Sequence, residues 1–245
     1  MNKKIYAIAL AIFIVMPLLA AATLRVQAQS TPSVSLLNLA NAVPNNLNIF
    51  ANISAPNTII TLTLYAGNVS ALWSWKVNMT WDNTFLQLAN VTEGPFLSTN
   101  GASTTLFLEA PPTMSPPTAS NIPELSDTLL ENTSVTGSGA LATISFTPLQ
   151  YGNTTISLTN IEFLNPSGIM EQAPTTVTTV VDIHFPGDVL GINVVNMADV
   201  ILSLKAFGSY PGNPRWNPAC DILGVGKIDM GNVIAVLIHF GQHYP

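Results

Sequence analysis

The chain has 245 residues, 48% of them hydrophobic and only 8% charged, with seven Lys and Arg against thirteen Asp and Glu. So small a basic complement cannot neutralise a phosphate backbone, which excludes nucleic-acid binding and disfavours anionic membranes. A single cysteine, Cys220, rules out any intrachain disulfide, so the fold must rest on its core, on metal or on partners.

Lys3 and Lys4 precede an apolar run from Ile5 to about Thr23, followed by Val26-Gln27-Ala28, the small-residue pattern of a signal-peptidase site. This predicts a secretory signal over residues 1–28 and a secreted, extracellular or cell-surface product. The alternative is an uncleaved anchor helix, against which Pro17 and the Val-x-Ala site argue. Past residue 28 only Lys76, Lys205, Arg215 and Lys227 face the thirteen acidic residues, a balance of −9. Residues 29–45 read as extended and unpaired, the kind of segment that a filament or surface-layer subunit donates as a strand.

From about residue 33 to 185 the apolar period is two. Trp73, Trp75, Val77, Met79 and Trp81 alternate with Ser74, Lys76, Asn78 and Thr80, a strand with one core face and one solvent face. The Trp row is read as core; exposed, it would be a sugar-stacking platform and would make the domain a carbohydrate-binding module. Further β-rich runs lie at 58–65, 104–108, 141–146, 154–158 and 177–185. Gly137-Ser-Gly139, Tyr151-Gly-Asn153 and Asn165-Pro-Ser-Gly168 mark turns between them. The class predicted is mainly β, an antiparallel sandwich. Ala110-Pro-Pro-Thr-Met-Ser-Pro-Pro-Thr118 is read as a stiff surface excursion, because proline donates no ladder hydrogen bond. Six Asn-x-Ser/Thr sequons, at Asn52, Asn68, Asn78, Asn90, Asn132 and Asn153, are candidate glycosylation sites on a surface short of charge.

After Phe185 the period becomes helical. Residues 199–207 and 232–240 are apolar runs, each closed by glycine at Gly208 and Gly241. A shift of 33 residues lays the first unit on the second: Asp188 on Asp221, Gly191 on Gly224, Asn196 on Asp229, Asp199 on Asn232, Phe207 on Phe240. The tail, residues 186–245, is therefore a duplicated loop–helix unit, joined by a Pro- and Asn-rich linker from Ser209 to Pro218.

Gly187-Asp-Val-x-Gly, the linker Pro-Gly-Asn-Pro-x-Trp-Asn-Pro, and Asp221-Ile-x-Gly-x-Gly-Lys-Ile-Asp229 resemble the type I dockerins, modules of two EF-hand-type calcium-loop–helix segments that dock onto a cohesin. Trp75-Lys-Val-Asn-Met-Thr-Trp-Asp82, Asn90-Val-Thr-Glu-Gly-Pro-Phe-Leu97 and Gly137-Ser-Gly-Ala-Leu-Ala-Thr-Ile-Ser-Phe146 resemble a cohesin-like domain. The resemblances imply a jelly-roll-like sandwich over 33–185 and a small dockerin-like domain over 186–245. By the same likeness, Met197, Ala198, Met230 and Gly231 stand at the loop positions that select a partner.

Calcium needs six to eight oxygens, from side chains at loop positions 1, 3, 5, 9 and 12 and a carbonyl at 7. The first loop offers Asp188, Asn196 and Asp199 with the Val194 carbonyl, the second Asp221, Asp229 and Asn232 with the Lys227 carbonyl. Positions 3 and 5 are Leu190 and Ile192, then Leu223 and Val225, which donate nothing. The expectation is weak calcium binding or none, no tightly bound cofactor, and these four aliphatics packed together in place of the ion. His184, His239 and His243 are the only histidines, and Gly241 between the last two spoils a zinc geometry. No nucleophile elbow, phosphate loop or Cys/His pair is present in the sequence. These features predict a non-catalytic secreted scaffold or adhesion protein. It would assemble with cohesin- or dockerin-bearing exported proteins or with copies of itself, as part of polysaccharide breakdown at the cell surface. A carbohydrate-binding module and a surface-layer or filament subunit are the alternatives.

Overall fold

The computed structural model describes residues 31–38, 44–100, 105–109, 119–171 and 173–244. The expected signal segment and the proline-rich stretch 110–118 lie outside the described residues. Eleven strands come first: β1 (Ser33–Leu37), β2 (Asn46–Phe50), β3 (Ile60–Leu72), β4 (Ser74–Trp81), β5 (Leu86–Glu93), β6 (Thr105–Glu109), β7 (Asn121–Leu129), β8 (Val135–Pro148), β9 (Gly152–Leu164), β10 (Met170–Glu171) and β11 (Thr176–His184). Two helices follow, α1 (Met197–Ala206) and α2 (Met230–Ile238).

The strands form two sheets, one in the order β1-β3-β8-β5, the other β2-β11-β9-β4-β7-β6 with β10 beside β9. Their inward side chains are the core. Trp75, Val77, Met79 and Trp81 are buried as the alternation requires, and Trp81 meets Phe146 of the opposite sheet edge-on, with ring centroids 5.3 Å apart. Trp73 is half-buried against this core and its indole N–H donates to the Glu131 carbonyl, so the Trp row is not an exposed platform.

Three features differ from the expectation. The ladder between β11 and β2 is parallel, with Val181 opposite Leu47. β1 and β2 belong to different sheets, and Asn45 fixes the start of β2. Its backbone is left-handed (φ 60°), and its side-chain oxygen accepts from the Leu36 N–H and the Thr179 hydroxyl. Ser33–Leu37 is not an unpaired arm, because it pairs antiparallel with β3, Leu36 opposite Leu64. Gly137-Ser-Gly139 is no turn between strands: it lies inside the fourteen-residue β8, where bulges bend the ladder to β3. Glycine is needed there because a Cβ on Gly139 would stand 2.3 Å from Phe96 Cδ2.

One acidic group sits in this apolar interior. Asp127 of β7 is buried opposite Trp75, and burial, then the charge of Glu93, push its carboxyl up to about 6 against the pull of the Thr128 N–H. The folded protein holds this proton to about pH 6, whereas the unfolded chain releases it near 3.8. The native state therefore binds more protons across that window, and stability is expected to fall by up to ~3 kcal/mol as pH rises through it. Denaturant melts of Asp127→Asn should lose this pH dependence and show a more stable protein at neutral pH; an unchanged profile would refute the assignment.

Candidate functional site

The tail is built on left-handed turns at matching places in its two loops. Gly191 and Asn193 in the first have φ of 66° and 62°, and Gly224 and Gly226 in the second 63° and 71°. Each turn wraps backbone N–H groups around the first acidic residue. Asp188 accepts from Ile192 N at 3.1 Å and Asn193 N at 3.0 Å, and Asp221 from Val225 N at 3.0 Å and Gly226 N at 2.8 Å. The loop's last residue closes the other side: Asp199 accepts from Leu190 N and Asn196 N, and Asn232 from Leu223 N. Burial pushes the Asp221 carboxyl up, opposed by the N–H groups of Gly226 and Val225. Of the six candidate calcium ligands, Asp188, Asp199, Asp221 and Asn232 are thus buried and hydrogen-bonded within their loops. Asn196 and Asp229 cap α1 and α2, accepting from Ala198 N and Gly231 N at 2.7 and 2.8 Å. Those caps start the helices at Met197 and Met230, two residues ahead of the sequence expectation, and Gly208 and Gly241 end them left-handed (φ 77° and 81°) as expected.

The expected aliphatic cluster is absent. Leu190, Ile192, Leu223 and Val225 are 42%, 51%, 52% and 58% exposed. The turns that aim the loop N–H groups inward leave these side chains outside, so it is the hydrogen-bonded carboxylates and amide, not apolar burial, that fill the loop centres.

A reciprocal backbone clamp joins the two repeats. Gly208 N donates to Ile228 O and Ile228 N to Ser209 O; at the equivalent places, Gly241 N donates to Val195 O and Val195 N to Gln242 O, all between 2.7 and 3.0 Å. Each loop therefore holds the end of the other repeat's helix, around fully buried Val195 and Ile228. Burial pushes the Cys220 thiol in this same core up to about 11, which makes it a packing group and not a nucleophile.

The paired helices meet the sandwich through an aromatic seam. Phe185 stacks on Tyr244 at 4.5 Å and meets Tyr151 of the β8–β9 turn at 6.0 Å and His239 at 5.1 Å. The Tyr244 hydroxyl is buried beside Asp188, and burial followed by that carboxylate push its ionisation well up. His184 pairs with Asp182 at 3.1 Å, and His239 Nδ1 lies 3.1 Å from Gln242 Oε1. Among the described residues no group of three His, Cys, Asp or Glu side chains is placed to hold a metal, so the histidines are not brought together.

Along its two helices the tail shows an apolar stripe to solvent. Met197, Ile201 and Leu204 stand outward along α1, and Met230, Ile234 and Leu237 along α2, spaced i, i+4, i+7. Leu223 continues the second stripe: a Cβ on Gly231 would come within 3.1 Å of its methyl. The partner-selecting candidates Met197, Ala198 and Met230 are all exposed and Gly231 is half-buried. Sequence reading named the first turn of each helix but missed Ile201, Leu204, Ile234 and Leu237; their i, i+4, i+7 spacing was the available signal. Asn52, Asn68, Asn90, Asn132 and Asn153 are exposed, and Asn78 is half-buried on the polar outer face of β4. Along β4 that face is hydrophilic, with Lys76 paired to Glu162 at 3.0 Å and the Ser74 and Thr128 hydroxyls 2.7 Å apart.

Fold and surface together define a class: a β-sandwich joined to a loop–helix pair that exposes an aliphatic face. No protein-family model matches the chain, and no curated protein matches it. Among solved structures it is similar to a non-cellulosomal cohesin from the hyperthermophilic archaeon Archaeoglobus fulgidus (12% identity, TM-score 0.41, 63% of this chain and 90% of that one). It is also similar to the seventh ScaB type I cohesin from Pseudobacteroides cellulosolvens (15%, 0.44, 63% and 93%). A third likeness is to a chain of the Coh-OlpA-Doc918 complex, a type I cohesin–dockerin complex from Clostridium thermocellum (12%, 0.46, 63% and 99%).

Proposed function

We propose that this is a non-catalytic, secreted scaffold protein whose dockerin-like tail docks onto a sandwich domain of another exported protein. The observation that carries the reading is the outward aliphatic face of α1 and α2. Six large apolar side chains in two helical stripes are exposed to water at a cost in solubility, and such stripes serve as anchors for a complementary apolar surface. The outer face of β4, β7 and β9 in the chain's own sandwich is mostly Ser, Thr, Asn and a Lys–Glu pair, with Leu106 and Leu108 exposed at its β6 edge, which makes it a poor receptor for them. The docked partner is therefore a different protein with an apolar sheet face, and the polar face of this sandwich is free to receive a second, more hydrophilic module. Two faces of different chemistry make a linker in a larger assembly.

The test is direct. Light scattering of the chain from residue 29 onward, alone and with a panel of exported sandwich-domain proteins, should show a monomer alone and a one-to-one complex with the right partner. Oligomers of the chain alone would move the partner to a second copy, and no complex across the panel would overturn the reading.

A further inference from the structure

The likeness to calcium-loop modules implies an ion in each loop, and the second loop shows why its residues do not fit one. Asn232 stands at position 12, where such a loop needs a carboxylate reaching the ion with both oxygens. Here the residue is fully buried and its two arms are committed in opposite senses. Oδ1 accepts from Leu223 N at 3.0 Å, while Nδ2 donates to the Lys227 carbonyl at 2.9 Å and approaches Asp229 Oδ1 at 3.5 Å. The amide orientation is forced, because a backbone N–H can only donate and a carbonyl can only accept. The Lys227 carbonyl is the position-7 ligand and Asp229 the position-9 ligand of the loop. The N–H group of Asn232 therefore points its partial positive charge at the oxygens an ion would take, and with Leu223 and Val225 at positions 3 and 5 no six-oxygen shell remains.

We propose that the side-chain amide of Asn232 replaces the cation of the second loop, so that the helix pair folds without calcium and presents its apolar face whether or not the ion is present. The folding half stands on the loop geometry alone; the docking half rests on the proposed function. The first loop has no such amide: Asp199 at its position 12 takes two backbone N–H groups. The clamp between Ile228 and Gly208–Ser209 transmits the order of the second loop to the end of α1.

Thermal melts of the full chain from residue 29 in excess chelator and in millimolar calcium test this. The wild-type midpoint should agree between the two within about 1 °C, because an ion that does not bind the folded state cannot shift it. Asn232→Asp puts a carboxylate beside Asp229 and the Lys227 carbonyl. It should melt about 4–8 °C lower in both media, because Leu223 and Val225 still leave the loop short of six oxygens. Asn232→Ala, which removes the amide without adding charge, should melt lower by about 2–6 °C in both media. It keeps the test decisive if the aspartate variant does not fold. A wild-type rise of about 5 °C or more on adding calcium, or an alanine variant that melts like wild type, would overturn the proposal. Partner binding that is lost while melting behaves as expected would count against the docking reading alone.

Discussion

Ile201→Asp combined with Ile234→Asp is expected to abolish partner docking while leaving the fold as stable as wild type. Both side chains stand outward at the middle of their helices, Ile201 one turn past Met197 and Ile234 one turn past Met230. Burying each in an interface contributes ~1.5–3 kcal/mol, and burying an unpaired carboxylate there instead adds a further cost. A combined loss of at least ~4 kcal/mol corresponds to roughly a thousandfold weaker binding. Because each side chain is about half exposed and lies outside the buried tail cluster, each substitution should change the unfolding free energy by no more than ~0.5 kcal/mol. Titration calorimetry against the identified partner, beside a denaturant melt, reads both quantities. Binding retained within tenfold would show that the aliphatic face is not the contact.

The second large effect is expected at the seam. Phe185→Ala should destabilise the tail by ~3–5 kcal/mol, the usual cost of emptying a buried aromatic site. Stacking on Tyr244 and the edge contacts with Tyr151 and His239 put it at the upper end. The loss is local. The sandwich core is a separate cluster, bridged by contacts such as Trp81 on Phe146, and does not include Phe185. Hydrogen exchange should therefore quicken first at the amides of α1 and α2, with β3, β8 and β9 still protected. Uniform quickening across sandwich and tail would show that the two parts unfold as one.

How much of this could be read in the sequence depended on whether side chains or backbone carried the signal. The alternation of Trp75, Val77, Met79 and Trp81 showed which face of β4 is inside because a strand has only two faces. The 33-residue offset located both helices and the glycines that end them. The parallel β2–β11 ladder was hidden, since nothing in the alternation of β2 says which sheet it joins; left-handed Asn45, bonded to Leu36 and Thr179, holds its start beside β11. The glycines of β8 were misread because a bulge and a turn use the same residue; only the nearness of the Phe96 ring distinguishes them. In the loops, apolar character at positions 3 and 5 was plain but its direction was not. Leu190 and Ile192 point out because Gly191 and Asn193 adopt a hand that composition does not reveal. The role of Asn232 was closer to hand, since the offset already set an amide where the first repeat has the carboxylate of Asp199.

The exchanged backbone bonds between the loops and the opposite helix ends make the duplicated tail an interlock. Neither copy of the duplication is a foldable half-unit, because each would leave two of its own buried polar groups without a counterpart and the end of its helix untied. The sequence is a tandem, but the smallest object that can exist in solution, be inherited as a block or be moved onto another protein is the whole pair.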